Sequence, residues 1–401
     1  MTKIGVVTYH YGYNEGTLLQ AYSTQQLLAR HCPSATVQLV DWRCASKEPR
    51  VFPAATDDRQ RAMRAFFDEK LVLSEQTLYD SDPDLVFRKL KGQFDLLVLG
   101  SDELWRLDYC RGRKWRIPRL VQTNVMAPPF PNVYWADARK VGCPCVSLAS
   151  SISERNQLQL VPRRHRSQMR HALKNLSVLS VRDSRSQDFV RQIVGDSTKI
   201  QWLPDPTFAL QFDRKRKAAD LRAEIARHAP NSERPIALVI SHSESDALAQ
   251  TVRMCRDRGM QTVGLTHAQA DLDVDLSKQF IDPLTWAAAP AIADVVITDR
   301  FHGALFSLQA GTPIIALDYR PQRNGSESKL ADLCRRFDVM DRCHQIAHFN
   351  SETEAVIQRQ LTGDDWDRTR IDEVVREFGT RLDEFVRTQI LTLLPVAQCN
   401  A

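Results

Sequence analysis

Short apolar runs rich in Val, Ile and Leu alternate along the chain with longer segments whose apolar residues recur at helical spacing. Strands buried on both faces of a parallel sheet read as unbroken apolar runs, and the intervening segments as crossover helices, so this alternation predicts βαβ units. In the first half, strands are expected over residues 3–8, 36–40, 94–99, 145–149, 177–181 and 199–203, with helices over 16–31 and 184–194. In the second half, strands are expected over 235–240, 261–265, 294–298 and 313–317, joined by helices over 245–258, 283–292 and 302–310. The predicted fold class is α/β, with two Rossmann-like doubly wound domains facing across a cleft. The first domain takes residues 1–212, a charged, Ala-rich linker with a surface helix takes 213–233, and the second domain takes 234–363. Residues 364–401 carry Ile371, Val374, Val375, Phe378, Leu382, Phe385, Val386 and Ile390 at helical spacing, which predicts a long amphipathic helix packing across the domain junction.

A chain of 401 residues exceeds the size at which one hydrophobic core keeps growing, which supports two domains. Lys and Arg outnumber Asp and Glu by 54 to 49, a surplus of 5 that is too dispersed to argue for nucleic acid. The densest basic stretch, Arg163, Arg164, His165, Arg166, Arg170 and His171, reads as a solvated helix face or as a peripheral contact with an anionic membrane. No apolar run approaches the ~18 residues that span a bilayer, and the start of the chain carries no secretory pattern, so a cytoplasmic protein is expected, with the inner membrane face its one membrane contact. Nine scattered cysteines suit reduced packing thiols better than a disulfide framework. Cys143 and Cys145 form the one close pair and have no His or Cys near them at zinc spacing, so no metal site is expected.

Ligands of doubly wound sheets bind outside the carboxyl ends of parallel strands, so the chemistry is sought there. After the first strand come Tyr11, Gly12, Asn14 and Glu15, a turn with neither the three-glycine dinucleotide fingerprint nor a Walker lysine. The run FDLLVLG ends on Ser101, Asp102, Glu103 and Trp105, where Asp102 reads equally as a helix N-cap or a ligand-facing carboxylate. Arg182 follows the run LSVLSV, and Ser241 and His242 follow IALVIS. Arg300, Phe301, His302 and Gly303 lie between an apolar run and a helical segment. There a cation, a titratable ring and a glycine coincide with a helix N-terminus, which makes an anion site.

In order along the chain, YHYGYNEGTLLQAYSTQQLL, LLVLGSDELW, VSLASSIS, LSVRDSRSQDF, LPDPTFAL and VVITDRFHGALFSLQAGTPIIALDY resemble the polysaccharide pyruvyl transferase family over most of residues 3–320. The resemblance implies a GT-B-like pair of Rossmann domains, the first on the acceptor side and the second on the donor side. It implies transfer of pyruvate from phosphoenolpyruvate onto a sugar of a glycan or glycan precursor as a ketal, with release of phosphate and no cofactor beyond that co-substrate. The family's strand-end arginine falls on Arg182, and its Arg-Leu-His donor motif on Arg300, Phe301 and His302, with Phe301 in place of the commoner Leu. Glu103 stands where many relatives have Gln, and His10 replaces the Asn of the entry loop.

Phosphoenolpyruvate carries a carboxylate and a phosphate about one carbon, so two guanidiniums from opposite domains, Arg182 and Arg300, can clamp it. Gly303, Ser241 and His242 complete the expected donor site. His302 is an acid or a phosphate ligand, and Asp102 or Glu103 activates the attacking hydroxyl. A sugar, oligosaccharide or lipid-linked glycan acceptor would meet Tyr11, Gly12, Asn14, Glu15, Trp105, Trp115 and Trp135, because aromatic faces stack on sugar rings. The competing readings are a glycosyltransferase of the same architecture using a nucleotide sugar, and a non-catalytic glycan- or phosphate-binding protein.

Overall fold

The computed structural model describes residues 2–107, 109–114, 117–122, 128–153, 156–229, 233–266, 271–319, 327–362 and 365–394. The chain divides into two compact units. The first comprises Met1–Ala54, Phe67–Gln211 and Phe378–Ala401, and the second Ala55–Phe66 and Phe212–Glu377.

In the first unit the strands are β1 (Lys3–Val7), β2 (Thr36–Leu39), β3 (Leu96–Leu99), β4 (Tyr109–Lys114), β5 (Ile117–Gln122), β6 (Cys145–Ser147), β7 (Ser180–Val181) and β8 (Gln201–Trp202). A parallel sheet runs β2-β1-β3-β6, with Gly5 paired to Gln38 on one side and Leu97 on the other. Ile4, Val6, Leu97 and Val98 are wholly buried, as a sheet covered on both faces requires. Each such aliphatic side chain contributes about 1.5–3 kcal/mol by leaving water. The short parallel pair β7 and β8 is tied to the region of β6 by the bridges Val146 to Val178 and Ser150 to Val181. β4 and β5 form an antiparallel pair where the apolar pattern predicted no strand. The helices are α1 (Glu15–His31), α2 (Glu48–Val51), α3 (Asp58–Lys70), which crosses from the second unit into the first, α4 (Pro83–Leu90), α5 (Ala138–Val141), α6 (Arg163–Lys174) and α7 (Ser184–Val194).

In the second unit α8 (Arg214–His228) precedes β9 (Ile236–Ile240), α9 (Asp246–Asp257), β10 (Gln261–Thr266), β11 (Val274–Asp275), α10 (Pro283–Ala288), β12 (Val295–Thr298), α11 (Phe301–Ala310), β13 (Ile314–Asp318), α12 (Lys329–Arg336), β14 (Cys343–Gln345), α13 (Ser351–Gln360) and α14 (Arg368–Phe385). Its six strands are all parallel in the order β11-β10-β9-β12-β13-β14. The order reverses direction at β9 and β12, the switch point where such sheets hold ligands.

Two boundaries differ from the sequence expectation. Residues 213–233 are not a linker: α8 buries Ala218, Leu221 and Ile225 and packs on α10, so it belongs to the second unit. The short stretch Ala55–Phe66 also joins that unit, and the backbone N–H of Arg59 donates to the Lys278 carbonyl there. The last long helix, α14, begins in the second unit and ends in the first.

Candidate active site

In the first unit the loop after β1 is fixed by side chains from helices and neighbouring strands. The Gln20 amide donates to Thr8 Oγ1 and to the Tyr9 carbonyl, each at 2.8 Å, and Asn14 caps α1 by accepting from the Thr17 N–H. Gly12, at φ 120°, adopts a conformation that a side chain disfavours. Beneath the loop the His10 ring bridges the Thr8 carbonyl at 2.9 Å and Asp41 Oδ1 at 3.0 Å. Arg43 reaches both Asp41 oxygens and Glu48. Burial opposes ionisation of Asp41, but hydrogen bonds from His10, Arg43 and Thr77 outweigh it and hold its carboxyl below the ordinary range.

Tyr11, expected to meet an acceptor, is instead a brace. It is buried, its hydroxyl accepts from the Cys44 N–H at 3.0 Å, and burial pushes its pKa up to about 12. Glu15 is buried in the first turn of α1.

Gly100, just past β3, lies so close to Thr8 that a Cβ would meet its side chain at 2.8 Å, which sets the ends of β1 and β3 side by side. Asp102 then accepts from the Thr17 hydroxyl at 3.0 Å and from the Glu103 N–H at 2.7 Å, and Arg106 lies 3.8 Å from Glu103. The sequence reading placed Asp102 and Glu103 here and did not include Tyr9, Thr17 or Arg106. Burial, reinforced by the negative charge of Asp102, raises the Tyr9 hydroxyl well above its ordinary value, so it stays protonated in the field of that carboxylate. The available signal was position alone, since Tyr9 and Asp102 both follow ends of adjacent strands.

Two other expectations are corrected. Trp105 is wholly buried, with its indole N–H donating to the Tyr134 carbonyl at 3.1 Å, so its ring belongs to the core and presents no face to a sugar. Trp135 is also mostly buried, 5.9 Å from the Trp105 ring. Trp115 lies outside the described residues. Arg182 is only 6% exposed; it pairs with Asp205 at 2.5 Å and donates to Ser151 Oγ at 3.2 Å. Burial disfavours its charge, yet the carboxylates of Asp205, Asp183 and Asp102 outweigh that effect and raise its pKa. Its guanidinium thus holds Ser101, Ser151 and Asp205 together at the strand ends, where the sequence reading expected it to clamp an anion.

In the second unit, Asp299 accepts from the backbone N–H groups of His242 and Ser243, joining the ends of β9 and β12. Ser241 is buried, and its hydroxyl exchanges hydrogen bonds with Ser243 at 3.3 Å. Thr298 Oγ1 donates to the Ile240 carbonyl and accepts from the Arg300 N–H. Gly303 packs on this junction, where a Cβ would collide with Thr298 Oγ1 and press Ile240 Cγ2 at 3.2 Å. Whereas α1, α4, α9 and α13 begin at Asn14, Asp82, Ser245 and Asn350 with capping side chains, α11 begins at Arg300 with no capping side-chain bond. Its positive end therefore carries a cation in place of an acceptor, which favours an anion. His302 stands edge-on to Phe301, with ring centres 5.2 Å apart, and lies over Phe306. Arg300, Phe301 and His302 are all half-buried.

The model of one family, polysaccharide pyruvyl transferase, matches residues 16–321, about three quarters of the sequence, and takes in Asp102, Arg182, Arg300 and His302. The chain belongs to the polysaccharide pyruvyl transferase family. It is therefore an enzyme of that family. No curated protein sequence matches it significantly. Among solved structures it is similar to a UDP-GlcNAc 2-epimerase from Neisseria meningitidis bound to UDP-GlcNAc, with TM-score 0.55 and 9% identity over 98% of this chain and 100% of that one. It is also similar to a UDP-N-acetylglucosamine 2-epimerase from Rickettsia bellii, with TM-score 0.52 and 9% identity over 98% and 96%. At this identity the likeness is one of fold, and it places this family member among GT-B folds with two Rossmann-like units. Among the described residues no helix is long and apolar enough to cross a membrane.

Proposed function

We propose that the enzyme transfers pyruvate from phosphoenolpyruvate onto a sugar of a glycan or glycan precursor as a ketal, with release of phosphate. The observation that carries this reading is the start of α11. There Arg300 and His302 occupy a helix N-terminus that has no side-chain cap, in a chain of the pyruvyl transferase family. Both the dipole and the guanidinium suit the phosphate and carboxylate of phosphoenolpyruvate. Protonation of the methylene carbon makes C2 electrophilic, and one sugar hydroxyl then adds to C2. Departure of phosphate restores the electrophile, and a second hydroxyl closes the ketal. Of the two hydroxyl protons released, one balances the new methyl group and the other the phosphate.

His302 supplies the proton to the methylene carbon. Asp102 receives the proton of an attacking hydroxyl, and the neutral Tyr9 hydroxyl beside it orients that group. Arg182 fixes the geometry of the acceptor-side strand ends through Asp205. The acceptor is a sugar, oligosaccharide or lipid-linked glycan, and the exposed arginines of α6 offer a peripheral contact with an anionic membrane. Thermal unfolding separates this reading from a nucleotide-sugar enzyme of the same fold. Saturating phosphoenolpyruvate should raise Tm by several degrees and UDP-sugars should leave it unchanged, and the reverse pattern contradicts the proposal.

A further inference from the structure

Resting on the reading of a glycan acceptor, we propose that a cavity of about 450 Å³ in the first unit, walled by α4, α5, α6 and the 130–137 loop, is a subsite for a neutral sugar residue of that acceptor. Its volume falls in the range of small-ligand sites. Phe130 and Trp135, both mostly buried, form its inner wall, with ring centres 5.5 Å apart and edge-on. Trp135 is only 5% exposed, and its indole Nε1 is buried with no acceptor. A buried indole N–H ordinarily finds a partner, so this one asks for an oxygen delivered from the cavity.

The charges at the walls decide what that oxygen belongs to. Asp82, Asp84 and Asp137 line the cavity, against Lys140 and His171. Asp84 pairs with Lys140 at 2.6 Å and Asp137 with His171 at 3.2 Å, while Asp82 caps α4. Three carboxylates against two compensating bases repel phosphate or a second phosphoenolpyruvate. They accept from hydroxyls, and the exposed Ser167 and Gln168 at the wall add further polar contacts. The wall is fixed in place, because the Asn132 amide donates to the Pro128 and Pro129 carbonyls and its oxygen accepts from the Tyr134 N–H. A donor N–H and carboxylate acceptors over an apolar wall together suit a neutral sugar. Trp135 also packs on Trp105, which follows the Asp102 and Glu103 turn, so the cavity is joined to that strand-end cluster through one aromatic contact.

The test is direct binding without donor, so that it does not depend on turnover. Neutral di- to tetrasaccharides of hexoses and N-acetylhexosamines are titrated against the full chain by saturation-transfer NMR and calorimetry. Ser167→Trp, at an exposed helix position, narrows the cavity, and Trp135→Phe removes the N–H while keeping an aromatic ring. The expected result is millimolar or tighter binding of at least one oligosaccharide, weakened about tenfold by each variant, with Tm little changed in Ser167→Trp and lowered in Trp135→Phe by the smaller buried ring. No binding to the wild-type chain, or binding untouched by both variants, overturns the subsite. If oligosaccharide binds in this way but phosphoenolpyruvate yields no phosphate with any acceptor, the subsite stands and the pyruvyl-transfer reading fails.

Discussion

A carboxylate that accepts from a threonine hydroxyl and one backbone N–H, and in whose field a tyrosine stays protonated, can take a proton from a third group. Asp102 has these neighbours, so Asp102→Asn should lower turnover by about 10²–10⁴ while leaving the affinity for phosphoenolpyruvate within twofold. Steady-state kinetics with both substrates varied gives the answer, and unchanged turnover removes Asp102 from the role. Asp41 carries a different kind of prediction. Its carboxyl is held below the ordinary ~3.9, so its ionised form stabilises the folded state at every pH above about 4, and the contribution is lost as pH falls through the lowered value. Asp41→Asn strands Arg43 and His10 without their shared partner, which should cost about 3–5 kcal/mol in urea unfolding at pH 7. The difference from wild type should shrink toward pH 3. A variant as stable as wild type at pH 7 shows that the network is not stabilising.

At the scale of elements, strand positions were legible because a strand buried on both faces leaves an unbroken apolar run. β1, β3, β9, β12 and β13 lie where those runs predict them, within a few residues at their ends. The β4–β5 hairpin was not legible, because YCRGRK and IPRLVQ are cationic and do not alternate apolar with polar. α8 read as a linker because Arg, Lys and Ala dominate it, although Ala218, Leu221 and Ile225 make a narrow apolar stripe that packs on α10. The placement of polar groups at the strand ends was legible by position, since Asp102 follows β3 and Arg300 and His302 follow β12. Which side chains face inward was not, because Arg182 and Trp105 are committed to partners far away in sequence. The junction of β12 and α11 makes its own prediction. Gly303→Ala forces a methyl group into Thr298 and Ile240, displacing the start of α11, and should lower Tm and weaken phosphoenolpyruvate binding together. Loss of Tm with donor affinity intact would separate the helix start from the donor site.

For the whole molecule, length and pattern predicted two Rossmann-like units, and the ordered motifs pointed to the family whose model spans residues 16–321. What sequence order could not convey is that the units are not contiguous: Ala55–Phe66 leaves the first unit for the second, and the chain after Glu377 returns. Long-range packing decides such boundaries, and local periodicity is blind to it. The proposed reaction makes phosphate in step with ketal, and the proposal rests most directly on Arg300 at the start of α11. The decisive measurement is release of inorganic phosphate from phosphoenolpyruvate in the presence of candidate saccharide acceptors, for the wild-type chain and for Arg300→Ala. Acceptor-dependent release that falls at least about a hundredfold in the variant is the predicted result. No release with any acceptor, or release indifferent to Arg300, contradicts it.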